Sequence, residues 1–435
     1  MALIQQSSSS NSNYKEGVNY TTPFIVITCL FFMWAMITNA NDILIPHLKR
    51  ACNLTDFQSS FVQFFFFGAY FLMSIPASKI LSKYGYKKGI IIGLSLMMFG
   101  ALLFIPSAMT LQYSMFLIAL FFLGSGVTLL QVAANPYVSL LGKPETASTR
   151  LNLAQGFNSL GAAIAPFLFG SLILSESSLS EDAFKALDEA AQLTYRLSEA
   201  STVIYPYIGL AVAVLLLAGL IYFSNLPTIE GEQQDVITEG SGDVISGKTS
   251  VWQYSHLTLG VIAIFAYVGA EVAIGSFLIK FAGQENIANL KEIDAKNFPT
   301  YYMLGAMIGR FLGSALMTKI NPRIAIGFSA GLATLLLLIG MFTEGYIALY
   351  AVTAVGLFNS ILFPTIFTSA IERLGKFTQQ ASSYLVMAIV GGAFIPPIMG
   401  YVSDLRNIQF AFIVPMLCYA YILFYGFVGS KVKVE

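Results

Sequence analysis

Apolar residues fill this chain in long runs, broken at intervals by short clusters of charge, glycine and proline. A helix of about 20 apolar residues crosses the hydrocarbon core of a bilayer. The pattern predicts spans near 22–48, 58–82, 88–107, 112–141, 147–174 and 203–225. A second set follows near 254–282, 297–318, 322–341, 346–372, 378–402 and 407–430. The expected architecture is an all-α membrane protein of twelve transmembrane helices. Residues 1–21 are a polar tail without the apolar core of a cleaved leader, so the first span is expected to remain. The stretch 226–252 is acidic and rich in glycine and serine, which predicts a flexible linker between six-helix bundles at 22–225 and 253–430. Residues 431–435 form a short second tail. Within the first half, 176–200 mixes Ala183, Leu187 and Leu197 with Asp188, Glu189 and Arg196, predicting an amphipathic helix outside the bilayer.

The halves repeat each other. Gly161, Pro166 and Gly170 recur at the same spacing as Gly391, Pro396 and Gly400, and Asn135-Pro136-Tyr137 is echoed by Phe363-Pro364-Thr365. Six-plus-six repetition is how transporters place one site between two bundles that rock against each other. Basic residues in short loops set orientation. Lys79, Lys83, Lys87 and Lys88 follow the second span, Lys143 and Arg150 the fourth, Lys319 and Arg323 the eighth, Arg373 and Lys376 the tenth. The loops after the third and ninth spans carry none, although Lys49 and Arg50 follow the first. Both termini are therefore expected in the cytoplasm.

Composition narrows the chemistry. Of 435 residues, 56% are hydrophobic and 11% charged, and the net charge of zero implies no attraction to nucleic acid. Cys29, Cys52 and Cys418 lack the paired spacing of a zinc or redox site. His47 and His256 are the only histidines, which argues against metal clusters and histidine-based triads. No cofactor is expected.

What remains is a set of polar residues inside apolar spans, where each is costly unless it faces a partner or a watery cavity. Asn39 and Asp42 share a face of the first span; Asp42 either lines that cavity or caps the helix end near Pro46. Gln131 and Asn135 share a face of the fourth span, and Gln155 and Asn158 one of the fifth, with Asn152 a turn earlier. So many amides exceed what interhelical glue requires. In the second half, Glu271 and Arg310 stand in otherwise apolar spans, as an ion pair joining two helices or as cavity-lining groups. Asn359 and Phe363 add an amide and an aromatic face in the tenth span. Amides, carboxylates and one ring suit a neutral polyol, whereas an anion would want several basic groups.

The stretches Asn41-Asp42-Ile43-Leu44-Ile45-Pro46, Ala133-Ala134-Asn135-Pro136, Asn152 to Ser159, Tyr267-Val268-Gly269-Ala270, Ile308-Gly309-Arg310-Phe311 and Phe363 to Phe367 carry a resemblance. Over about residues 22–430 the chain resembles the fucose–galactose–glucose symporter branch of the major facilitator superfamily. That resemblance implies alternating-access uptake of a monosaccharide across a bacterial inner membrane, driven by a cation gradient. The protein is expected to function as a monomer. It implies that Asp42 is the essential coupling carboxylate, that Asn39, Gln155 and Asn158 are sugar-contacting amides, and that Arg310 is the second-half contact. Two positions depart from the fucose-permease pattern, which has glutamate where Gln131 stands and glutamine where Glu271 stands. Glucose or galactose is accordingly favoured over fucose. With the second carboxylate absent, one carboxylate among the amide oxygens of Asn39, Gln131 and Gln155 suits sodium, while Asp42 alone suits a proton. Two other classes make demands that these residues do not meet. A membrane-embedded transferase needs a nucleophile–base pair or metal-held phosphate site, and a non-transporting sugar receptor needs a soluble signalling domain.

Overall fold

The structure is a computed structural model that describes residues 20–54, 56–173, 184, 186–227 and 250–432, and every regular element among them is helical. Helix α1 spans Thr21–Ala51, α2 Asp56–Thr110, α3 Tyr113–Leu140, α4 Ala147–Ile173, α5 Glu189–Ser201 and α6 Ile204–Phe223. The second half has α7 over Ser255–Ala282, α8 Asn297–Leu316, α9 Pro322–Phe342, α10 Gly345–Asn359, α11 Leu362–Ala370, α12 Thr378–Met387, α13 Gly391–Leu405 and α14 Ile413–Phe424. Long α2 holds the second and third predicted spans, turning at Gly85, whose φ of 78° favours glycine. The linker residues 228–249 and the insert residues 174–183 lie outside the described ones. Of the insert, α5 forms an amphipathic helix capped by Asp188, which accepts from the Ala191 amide at 2.7 Å. It is tied to the end of α1 by Arg196, whose Nε donates to the Ala51 carbonyl, and by the Glu199–His47 pair at 3.6 Å.

Two spans predicted as single helices are broken. The tenth divides between α10 and α11, and the eleventh between α12 and α13. Proline supplies the reason in the tenth. Pro364 has no N–H for the carbonyl of Ser360, so the backbone ladder is interrupted where α10 meets α11.

The repeat has a packing consequence. A Cβ on Gly161 would collide with the carbonyl oxygen of Phe32 on α1, and one on the repeat-related Gly391 with the carbonyl of Phe265 on α7. Without a hydrophobic force between helices in lipid, such close backbone approach carries the packing. Gly161→Ala and Gly391→Ala gain helix propensity of about 1 kcal/mol. The obstruction is backbone, which no rotamer change relieves, so overpacking should win with a net loss of about 1–3 kcal/mol each. Thermal unfolding of the purified variants checks this; unchanged midpoints would contradict it.

Candidate functional site

Arg310 gathers the site. It rises from α8, and its Nε donates at 3.2 Å to the Ser360 carbonyl that Pro364 leaves without a helical donor. Its Nη2 faces Glu271 Oε1 of α7 at 3.8 Å, and its Nη1 donates to the hydroxyl of Ser159 on α4, in the other half of the chain. Glu271 Oε1 also accepts from the Tyr267 hydroxyl at 2.8 Å, one helical turn away. Among the described residues none bonds Oε2, so half of the carboxylate remains open to a ligand. The Arg310 and Glu271 side chains retain 14% and 18% exposure, so this pair lines a space rather than a sealed core. Phe363 lies beside it, its ring 6.3 Å from that of Tyr267.

The first half contributes amides. Gln155 Nε2 donates to Asn135 Oδ1 at 3.4 Å, joining α4 to α3, and Asn158 Nδ2 donates to the Phe31 carbonyl of α1 at 3.0 Å. Gln131 Nε2 donates to the Tyr70 hydroxyl of α2 at 3.1 Å. Asn39 Nδ2 folds back onto the Ala35 carbonyl at 2.8 Å, leaving its oxygen for other partners. Asp42 sits within α1, which continues past Pro46 to Ala51; a position inside a helix leaves no helix end there to cap. The Asp42 side chain lies outside the described residues. Asn135 and Asn359 are fully buried. Asn359 Nδ2 donates to the Tyr302 and Tyr419 hydroxyls, the latter at 3.1 Å, and so ties α10 to α8 and α14 behind the Glu271 cluster. Asn135 Nδ2 and Asn359 Oδ1 are buried without a partner, groups that a local rearrangement would satisfy.

Ser159, Tyr70, Tyr302 and Tyr419 complete these networks, yet single hydroxyls in apolar helices carry little signal in sequence. One usable mark exists. Counting four residues back from a mid-span proline locates a carbonyl that needs an outside donor.

The halves meet at the end that carries the basic loops after α3 and α11. Ser148 and Thr368 hydroxyls lie 2.7 Å apart, Asn152 Nδ2 donates to Thr365 Oγ1 at 3.2 Å, and Ser314 Oγ donates to the Thr149 carbonyl at 3.1 Å. Ser382 Oγ donates to the Val132 carbonyl at 2.9 Å. Gly156 leaves room for the Phe311 ring, which meets Phe157 edge-on. Together these contacts close the seam between the halves at that end, the sealed end of the molecule. A separate cleft of about 720 Å³ between α1, α4 and α6 is lined mainly by groups such as Met33, Met36, Leu168 and Leu210. That lining suits acyl chains rather than hydroxyl-rich solutes.

The family described as the Major Facilitator Superfamily matches residues 24–389. The glucose/galactose transporter of Brucella abortus (biovar 1, strain 9-941) is 47% identical over 413 residues, covering 95% of each chain. The L-fucose-proton symporter of Escherichia coli K12 is 38% identical over 413 residues, covering 94% of each. Among solved structures, the transporter FucP in its outward conformation superposes with a TM-score of 0.87 at 38% identity, over 95% of this chain and 100% of that one. This chain therefore belongs to the Major Facilitator Superfamily of membrane transporters, as a multi-pass protein with two six-helix bundles.

Proposed function

We propose that this protein is a secondary symporter that takes up a monosaccharide with a cation by alternating access, glucose or galactose favoured over fucose. The observation that carries the reading is the convergence at Arg310. A carboxylate, a guanidinium and an aromatic ring of one half meet the hydroxyl of Ser159 on α4, the helix of the other half that also carries the amides Gln155 and Asn158. Glu271 accepts sugar hydroxyls, Arg310 donates to them, and Gln155, Asn158, Gln131 and Asn39 complete the polar lining. Phe363 offers its ring to a C–H face, while Asn135 and Asn359 act from the buried layer behind. Gln131 in place of a second carboxylate, together with the Brucella relative, supports glucose or galactose.

Asp42 carries the coupling. Pro46 has no N–H, so the Asp42 carbonyl, four residues earlier in a continuous helix, has no helical donor. That oxygen, the carboxylate and the amide oxygens of Asn39 and Gln131 are hard ligands suited to sodium. A proton on Asp42 alone serves the same purpose, and the E. coli relative is named for a proton.

The positive-inside bias puts both termini and the 226–252 linker in the cytoplasm of a bacterial inner-membrane protein, with the bundles at 22–225 and 253–430. Two contacts anchor the described ends of the linker: the Tyr137 hydroxyl donates to the Pro227 carbonyl at 2.9 Å, and the Trp252 ring packs 4.4 Å from that of Tyr384. In that orientation the sealed end is cytoplasmic and the conformation faces outward. Each monomer contains a complete site. The test is competition of unlabelled hexoses against labelled D-galactose in counterflow. D-glucose and D-galactose should compete at least about tenfold better than L-fucose, a difference of about 1.4 kcal/mol. Fucose competing best would overturn the preference.

A further inference from the structure

The repeat-related prolines have a second consequence. Pro136 withholds a donor from the Val132 carbonyl just as Pro364 does from that of Ser360. Both freed oxygens are taken by side chains, and both side chains belong to contacts between the halves. Val132 accepts from Ser382 of the second half. Ser360 accepts from Arg310, which then reaches Ser159 of the first half. Ser159 is poised to accept, because its own hydroxyl donates at 3.1 Å to the Gln155 carbonyl and so turns a lone pair outward.

We propose that these two proline-freed carbonyls anchor paired latches that hold the sealed end shut, with Ser382 and Ser159 as positioning residues, and that Arg310 makes the second latch responsive to sugar at Glu271. The last clause rests on the functional reading above; the latch itself does not. Rocking of the halves must break both cross-half bonds, and the two break differently. Loss of Ser382 strands the Val132 carbonyl until water enters the opening gate. Loss of Ser159 leaves Ser360 satisfied, because Arg310 is in the same half and stays with it. Arg310 is then free to turn fully to Glu271 and its ligand. The second latch is thus the one that can read the site.

The experiment uses the full chain with its three cysteines replaced and spin labels at Glu145→Cys and Lys376→Cys, both exposed at the sealed end in opposite halves. Ser382→Ala and Ser159→Ala should each raise the open-to-closed ratio in the distance distribution about 5-fold without ligand, the effect of one hydrogen bond. Ser159→Thr should match the parent. Ser159→Ala should also blunt the response to D-galactose, whereas Ser382→Ala should leave it intact. Pro364→Ala restores an amide that competes for Ser360, so it should open the gate without lowering the thermal midpoint. Ligand-free distributions of both serine variants that superimpose on the parent would overturn the latch. So would Ser159→Thr behaving like Ser159→Ala. Should Ser159→Ala fail to fold, Ser382→Ala and Pro364→Ala decide by the same distances. A parent unresponsive to D-galactose, D-glucose and L-fucose alike would remove the sugar reading, with the latch still decided by the ligand-free comparison.

Discussion

Asp42→Asn is expected to abolish gradient-driven accumulation of sugar while leaving exchange of sugar for sugar in place. A carboxylate at membrane depth is costly when charged, and it is neutralised either by a proton or by a bound cation. If the empty, charged state resists reorientation and the neutralised state permits it, a driving gradient is coupled to the cargo through this one group. The amide is neutral at all times. It removes the requirement for the ion while preserving size and most hydrogen bonding, so the halves rock without coupling. Comparing gradient-driven uptake with counterflow in the same proteoliposomes separates the two activities. Full accumulation by the variant would remove Asp42 from the mechanism.

Glu271→Gln should weaken sugar binding while leaving ion dependence unchanged. The carboxylate engages Tyr267 and Arg310 through Oε1, and among the described residues no group bonds Oε2. A charge-assisted hydrogen bond is worth about 1.5–3 kcal/mol, so removing the charge should raise the apparent KM about 10- to 150-fold or reorder the preferred hexoses. The competing expectation comes from the ion pair itself. If Glu271 and Arg310 serve to hold α7 and α8 together, losing one partner leaves a buried charge unpaired and destabilises the fold. Their separation of 3.8 Å is long for a strut, and both side chains keep some exposure, which favours ligand contact. Sugar affinity and thermal midpoint measured on one preparation decide between these. Normal affinity with a large fall in midpoint would assign Glu271 to structure.

The spans and the repeat were legible in the sequence because each has a large physical signal. An apolar run crosses the bilayer or it does not, and glycines such as Gly161 and Gly391 stand where two backbones touch. The polar residues were legible as a group, since every amide in lipid demands a partner. Their division of labour was not. Asn39, Gln155 and Asn359 look alike as letters, yet the first bonds its own helix, the second reaches the neighbouring helix, and the third binds two buried tyrosines. Those differences depend on helix rotation and crossing, which a single chain's periodicity does not fix. The break in the tenth span was hidden for a related reason: an apolar run through Pro364 reads as continuous although its backbone ladder is not. The cross-half role of Ser159 had no signal of its own, because a serine in a membrane helix can satisfy itself on the preceding turn, as it does here with Gln155.

Coupled monosaccharide transport is tested by uptake of labelled D-galactose into proteoliposomes containing only this protein, under an imposed inward gradient of sodium or of protons. Transient accumulation above the external concentration is expected under one of those gradients, lost when an ionophore for that ion is added. Uptake unchanged by removing sodium but abolished by a protonophore would assign the coupling to protons. Equilibration without accumulation under either gradient, or no uptake of any hexose, would rule out cation-coupled monosaccharide transport by this protein.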